Sequence, residues 1–169
     1  SRGSLKYLAD TGRLDQVSRG VYTLPEVWED EFVSIQERYK RGVFALDTAL
    51  FLHDLTDRTP HKFHMAFPYG YNTSSPKAAG ILCSCKKEPY YSLGIALVDT
   101  PAGNTVRAYN AEKTLCEILK PISHTDIQII TDAFKRYAGR KDKNIPLLSE
   151  YAHQLRVEKR LRPYLEVLL

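Results

Sequence analysis

His53 and Asp54 are adjacent, and Asp57 stands three residues further on. An imidazole and two carboxylates at that spacing are the donors of a divalent-metal box for phosphoester hydrolysis. Such a box needs a further histidine upstream. The histidines are His53, His61, His64, His124 and His153, so none precedes it. His53 is therefore expected to satisfy a helix end or to pack. His61 and His64 are three apart on a predicted strand, which turns them to opposite faces. Cys83 and Cys85 share a strand face, but Cys116 is the remaining thiol, and a structural zinc site takes four ligands. The cysteines are expected to act as buried small hydrophobes. Their odd, small number argues for a reducing compartment, and a cytoplasmic location is expected. A restriction-type nuclease places an acid two residues before a lysine, and no such tripeptide occurs. A nucleotidyltransferase places Gly-Ser ahead of Asp-x-Asp to hold two metals. Gly3-Ser4 is present and Asp-x-Asp is not. Nucleophile elbows, P-loops and dinucleotide fingerprints are also missing. These readings point away from an enzyme and call for no metal or cofactor.

The remaining chemistry is cationic. Net charge is +4, unevenly spread. Between Phe134 and Arg162 lie nine basic residues against three acids, Asp142, Glu150 and Glu158, so that segment carries +6 and the rest −2. Lys135, Arg136, Arg140, Lys141 and Lys143 head the cluster. Asymmetry of this kind suits a polyanionic partner, and solvated helix faces account for it equally well. At the other end, Arg2, Ser4 and Lys6 open a short helical pattern over residues 4–11, with Ser4 as a possible cap and Gly12 as its stop. Arg13 and Arg19 then flank an apolar run that leads through Gly20 into Val21-Tyr22-Thr23, a sequence suited to a strand. A short helix followed by an arginine-bearing ribbon has the layout of the second half of a winged helix. There Arg2, Ser4 and Lys6 would reach base edges in the major groove, while Arg13, Arg19 and Tyr22 would lie against the backbone. A helix and hairpin with ordinary surface arginines has the same pattern. A lone helix and ribbon buries too little surface to stand alone, so this reading expects the domain's first helices to precede Ser1.

The elements that must position these groups read as follows. Residues 25–39 suit a helix, acidic at its start and basic at its end, with Phe32, Ile35 and Tyr39 inward and Gly42 as its breaker. Residues 45–55 suit a second. Strands are expected over 62–67, 81–85, 90–100 and 105–109, with a loop over 69–80 and a turn at Pro101-Ala102-Gly103-Asn104. Asn110 caps a helix to Leu119. Ser123 and Asp126 have the spacing of a capping box. After them Ile127, Ile130, Phe134 and Tyr137 line one face, followed by two further apolar-patterned helices from Leu147 onward. The class is α+β: a partial winged helix-turn-helix over 1–25, then a mixed α/β domain over 26–169 with a small central sheet and several C-terminal helices. Length and 43% hydrophobic content suit a packed globular core, and no apolar run spans a bilayer, so no membrane partner is expected.

Three segments, in order, resemble the AbiEi antitoxin family of type IV toxin–antitoxin systems. Gly12-Arg13-Leu14 through Arg19-Gly20-Val21-Tyr22 resembles the family's wing. The run from Phe44 through His53-Asp54-Leu55-Thr56-Asp57-Arg58-Thr59-Pro60 resembles its "SALylhgLtDrtP" segment. Val106 to Leu119, with Glu112-Lys113-Thr114-Leu115-Cys116, resembles its "vr.yd.ErTlcDil" segment. The resemblance implies an antitoxin that supports abortive infection in phage defence. It also implies transcriptional autorepression, through winged-helix binding to inverted repeats of double-stranded promoter DNA. The partner it implies is a nucleotidyltransferase-like toxin, neutralised without need of a stable complex, by a monomer or weak dimer that binds DNA cooperatively. A toxin-neutralising interaction module and a nucleic-acid-modifying enzyme are the alternatives. Asp57-Arg58 and Glu112-Lys113, as charged positions flanking apolar helices, are assigned to caps and local ion pairs.

Overall fold

A computed structural model describes residues 30–168 together with the backbone of Asp15–Ser18 and Val21–Thr23. The expected helix over 4–11, with Arg2, Ser4 and Lys6, lies outside the described residues, as do Arg13, Arg19 and residues 24–29. The ribbon is present: β1 (Asp15–Ser18) and β2 (Val21–Thr23) pair antiparallel, with Gln16 opposite Tyr22 and a bulge between Gln16 and Ser18.

The class is α+β. The described residues form seven α-helices and a five-stranded mixed sheet besides the ribbon. In chain order come α1 (Glu31–Arg38), β3 (Val43–Phe44), α2 (Leu46–Leu52), β4 (His64–Pro68), α3 (Ser74–Ala78), β5 (Leu82–Lys86), β6 (Ile95–Asp99) and β7 (Thr105–Tyr109). Then follow α4 (Ala111–Ile118), a 3₁₀ turn (Pro121–Ser123), α5 (Ile127–Ala138), α6 (Ile145–Gln154) and α7 (Glu158–Leu168). The sheet order is β5-β4-β3-β7-β6. Among the described residues no helix is long and apolar enough to cross a membrane.

The sheet is organised around its shortest strand. Val43 and Phe44 are both fully buried and turn to opposite faces. Phe44 joins Phe32, Met65 and Phe67 beneath α1, and its ring meets Phe32 edge-on at 5.4 Å. Val43 joins Ala45, Ala66, Tyr91 and Tyr109 on the other face. A two-residue strand is too short to show any period in the sequence, and only Gly42, as the breaker between two helices, was expected there. α3 is likewise an addition, one turn and a half of helix within the expected 69–80 loop. The 90–100 strand is shorter than expected, because residues 90–93 form turns ahead of β6. His61 also departs from expectation: it is exposed and precedes β4, so only His64 belongs to the strand.

Caps fix several boundaries. Asp30 caps α1 by accepting from the Phe32 and Val33 amides, at 3.0 and 3.5 Å. Its other oxygen accepts from Thr100 Oγ1 at 2.6 Å and Asn104 Nδ2 at 2.9 Å, which fastens the β6–β7 turn to the helix start. Asn110 caps α4 through the Lys113 amide, as the sequence indicates. The Ser123–Asp126 capping box does not form. Asp126 is the cap of α5 and accepts from the Gln128 amide, while Ser123 Oγ donates back to the Ile118 and Lys120 carbonyls. Ile127 therefore stays exposed, and the inward stripe of α5 starts at Ile130.

The helical cluster gathers on α4, which packs against α2, α5 and α6. Every residue from Ala111 to Ile118 is buried, including Glu112, Lys113, Thr114 and Glu117. Gly94, at φ +81°, gives the chain its close approach to this helix: a Cβ there would stand 2.7 Å from Lys113 Cβ. Gly103 has a similar φ of +89° with open space around it. Gly103→Ala therefore carries the backbone cost alone, about 1–2 kcal/mol. Gly94→Ala adds an overpacking cost of about 1–3 kcal/mol. Urea unfolding of the two variants should separate them by that margin, and equal midpoints would contradict the packing described.

Candidate nucleic-acid interface

The basic segment begins in the last turn of α5 and continues through the connection to α6. Lys135 and Arg136 lie on the exposed side of α5, opposite the buried Ala133, Phe134 and Tyr137. The connection is pinned from within. The Tyr137 hydroxyl accepts from the Asn144 amide at 2.6 Å and donates to Glu112 Oε2 at 2.5 Å. Asn144 in turn caps α6 through the Leu147 amide. Residues 140–143 are thus held as a fixed exposed loop between two capped helices.

Within that loop the arginines and the lysines behave differently. Arg140 grips Asp142 with both arms at 2.8 Å and donates a third hydrogen bond to the His53 carbonyl, also at 2.8 Å. This fork holds the Asp142 carboxyl low, at about 2, and raises the Arg140 guanidinium. Arg136 pairs with Asp132 at 2.8 Å and stands 3.9 Å from Asp57. Lys143 Nζ caps the Arg140 carbonyl at 3.5 Å. Among the described residues, the carboxylates of this face pair with the arginines and leave Lys135, Lys141 and Lys143 unpaired with acid. The five cations foreseen for one interface thus divide into two that brace the fold and three exposed ammonium groups. Arg156, Lys159, Arg160 and Arg162 are exposed around and along the start of α7.

Arg136 and Arg140 also edge a groove of about 590 Å³ between the end of α2 and the end of β6. His53 and Asp54 line it from α2, Asp99 and Thr100 from the sheet. His53 ends α2 through its backbone amide, and its Nε2 meets the Tyr109 carbonyl at the end of β7 at 2.8 Å, so its side chain ties the helix end to the sheet. Burial lowers its basicity. Asp54 occupies a left-handed φ of +57° and, like Asp57, is exposed. Two arginines against two exposed aspartates make this groove electrically mixed rather than a uniform cationic channel. Among the described residues no group of three or more His, Cys, Asp or Glu is placed to hold a metal ion. Cys116 is buried and its thiol pushed up to about 12 by burial, whereas Cys85 is exposed, contrary to the expectation that all three thiols would be interior. Tyr22 lies in β2, opposite Gln16.

Glu112 and Lys113 correct a second expectation. They lie inside α4 and are buried, instead of flanking an apolar helix at its surface. The Lys113 ammonium donates to the Tyr90 and Leu93 carbonyls at 2.8 and 2.9 Å, stands 3.8 Å from the centre of the Tyr109 ring, and pairs with Glu117 at 3.5 Å. Asp57 and Arg58 are exposed, but the ion pair is not a local one: Asp57 approaches Arg136 on α5, and Arg58 contributes its backbone amide to Thr56 Oγ1.

Burial lowers the Lys113 ammonium to about 8, against the opposing pull of Glu117. Below about 8 folded and unfolded chains both hold this proton, and the group adds no slope. Between about 8 and the ordinary lysine value of 10.5 the unfolded chain keeps a proton that the folded protein has released. Stability from this group therefore rises with pH in that window. Urea unfolding of the parent and of Lys113→Met at a series of pH values should show the parent gaining on the variant as pH rises through it. A gap that is constant or shrinks would refute the assignment.

No protein-family model matches the chain, and no curated protein matches it in sequence. A solved structure, the RV2827C protein from Mycobacterium tuberculosis, superposes with a TM-score of 0.55 over 98% of this chain and 69% of that one. At 14% identity this similarity shows a shared fold and nothing finer.

Proposed function

We propose that the chain is an AbiEi-type antitoxin that also represses its own operon, a cytoplasmic DNA-binding regulator rather than an enzyme. The observation that carries this reading is the antiparallel ribbon of β1 and β2, with Arg13 ahead of it and Arg19 between its strands in sequence, followed by an α+β body. A ribbon of that size suits the wing of a winged helix, whose arginines would grip phosphates. The three family-like segments support the same reading, since they occur in the family's order. The partners are double-stranded promoter DNA and, functionally, a nucleotidyltransferase-like toxin.

In the body, the electrostatic part would fall to Lys135, Lys141 and Lys143, which are exposed and whose ammonium groups are not committed to acids. Arg136 and Arg140 have partners that a phosphate would have to displace, and Arg140 also secures the loop to α2.

Gel shifts on DNA upstream of the gene test the reading. With roughly six to ten phosphate contacts, affinity should fall by about 10³–10⁵ between about 50 and about 200 mM salt. Arg19→Ala should weaken binding to all sequences alike, whereas Arg2→Ala should alter sequence preference. Alanine at Lys135, Lys141 or Lys143 should each reduce the salt slope by about 1. A flat salt response, or identical behaviour of Arg19→Ala and Arg2→Ala, would overturn the proposal.

A further inference from the structure

The five-stranded sheet has two edges, and they are finished differently. α3 packs against β5. On the outer side of β6 no strand pairs with it among the described residues. Proteins blunt such an edge with lysine, proline, a bulge or a covering element, because its backbone groups otherwise template a further strand. The segment Ile95-Ala96-Leu97-Val98-Asp99 contains neither lysine nor proline, and its register with β7 is unbroken.

Hydrogen bonds at the two ends of the β6–β7 hairpin fix which groups face outward. The Asn110 amide donates to the Gly94 carbonyl and the Thr100 amide to the Asn104 carbonyl, each at 2.7 Å. Gly94 and Thr100 thus turn their backbone groups toward β7. Bonded and non-bonded pairs alternate along an antiparallel ladder, so Ala96 and Val98 do the same. Ile95, Leu97 and Asp99 turn theirs to the open side. The Ile95 amide is engaged locally, donating to the Ser92 carbonyl at 3.3 Å. The edge therefore offers the Leu97 and Asp99 amides as donors, with the carbonyls of Ile95, Leu97 and Asp99 as acceptors. At its middle stands the Leu97 side chain, 75% exposed.

This set is self-complementary. A two-fold axis perpendicular to the sheet at Leu97 lays β6 antiparallel to the β6 of a second copy. Each Leu97 amide then meets the other copy's Leu97 carbonyl, and each Asp99 amide meets the other copy's Ile95 carbonyl. Both open donors find acceptors, and the engaged Ile95 amide is not called on. The two Leu97 side chains lie opposite each other on one face and cover each other. The Asp99 carboxylates stand at opposite ends of the paired strands, so no like charges meet. A loose peptide would have to be ordered at about 1–2 kcal/mol per residue to gain the same few bonds. A second copy brings a strand that is already extended.

We propose that the open edge of β6 is a homodimer contact, through which two copies join at Leu97 to form one continuous sheet. The contact is isologous, the same patch serving on both chains. Strands of 5 residues bury much less than a standard interface, so the association is weak and reversible. It is independent of the DNA-binding reading and is tested without DNA.

Sedimentation velocity of the full chain, from micromolar to millimolar concentration, is the first measurement. Reductant is present throughout, which removes any disulfide through the exposed Cys85. The weight-average mass should climb from that of one chain toward that of two. Amide hydrogen exchange read by NMR over the same range locates the contact. The Leu97 and Asp99 amides should exchange fast when dilute and slow down as concentration rises, while those of Ala96 and Val98 stay protected at every concentration. Leu97→Pro should abolish association and leave the thermal unfolding midpoint near that of the parent, since it removes an amide that bonds nothing within one copy. Leu97→Lys sets like charges across the axis and should abolish association too, which keeps the test decisive should the proline variant fail to fold. A mass that stays at one chain up to millimolar concentration would refute the dimer. Association that survives Leu97→Lys, or exchange at Leu97 and Asp99 that ignores concentration, would refute this edge as its contact.

Discussion

One ammonium group organises the body of this protein. Lys113 sits in the first turn of a helix buried along its whole length, where an uncompensated charge would cost several kcal/mol. It is compensated by two carbonyls from the 90–93 turns, the face of Tyr109 and the Glu117 carboxylate. Those partners come from three different stretches of chain. The turn before β6 can sit there only because Gly94 lacks a side chain, and α4 can start there only because Asn110 caps it through the Lys113 amide. The contact therefore sets the distance between the sheet's β6–β7 edge and the helical cluster. A methionine of similar length could fill the volume, but it would leave two carbonyls without donors.

The rest of α4 follows the same logic. Glu112 accepts from Tyr137, Thr114 donates to the Asn110 carbonyl, and Glu117 holds Lys86 on the far edge strand. Each buried polar group is tied to a different neighbour, so the helix addresses α5, its own cap and β5 in turn. Burial of this kind favours one arrangement over its competitors because any slip of the helix strands several charges at once. The Tyr137 bond extends the chain of dependence outward, since the same hydroxyl accepts from Asn144 and so holds the exposed cationic loop.

Much of this was legible in the amino-acid order, and the exceptions have physical causes. β7, α4 and the Asn110 cap read correctly because period, cap chemistry and breakers agreed there. β3 did not, although it is the middle strand: two residues carry no alternation, and its place depends on partners from β4 and β7 far along the chain. Glu112 and Lys113 were misplaced at a surface because polarity was read as exposure, when their partners lie about twenty residues away on both sides. The basic segment was legible as charge but not as geometry. Sequence could not show that Asp142 and Asp132 engage the arginines and leave the lysines outward.

Asp30 shows how far one short side chain can reach. Its carboxylate is shared between the first amides of a helix and the two polar residues that close a hairpin seventy residues later. One oxygen serves the helix and the other serves the hairpin. A load applied to the chain entering α1 would therefore be transmitted directly to the hairpin tip beside the arginine-edged groove, with no intervening core to absorb it. Mechanically, the residue is a rivet joining the point where the body begins to a distant loop, and removing its charge would free both ends together.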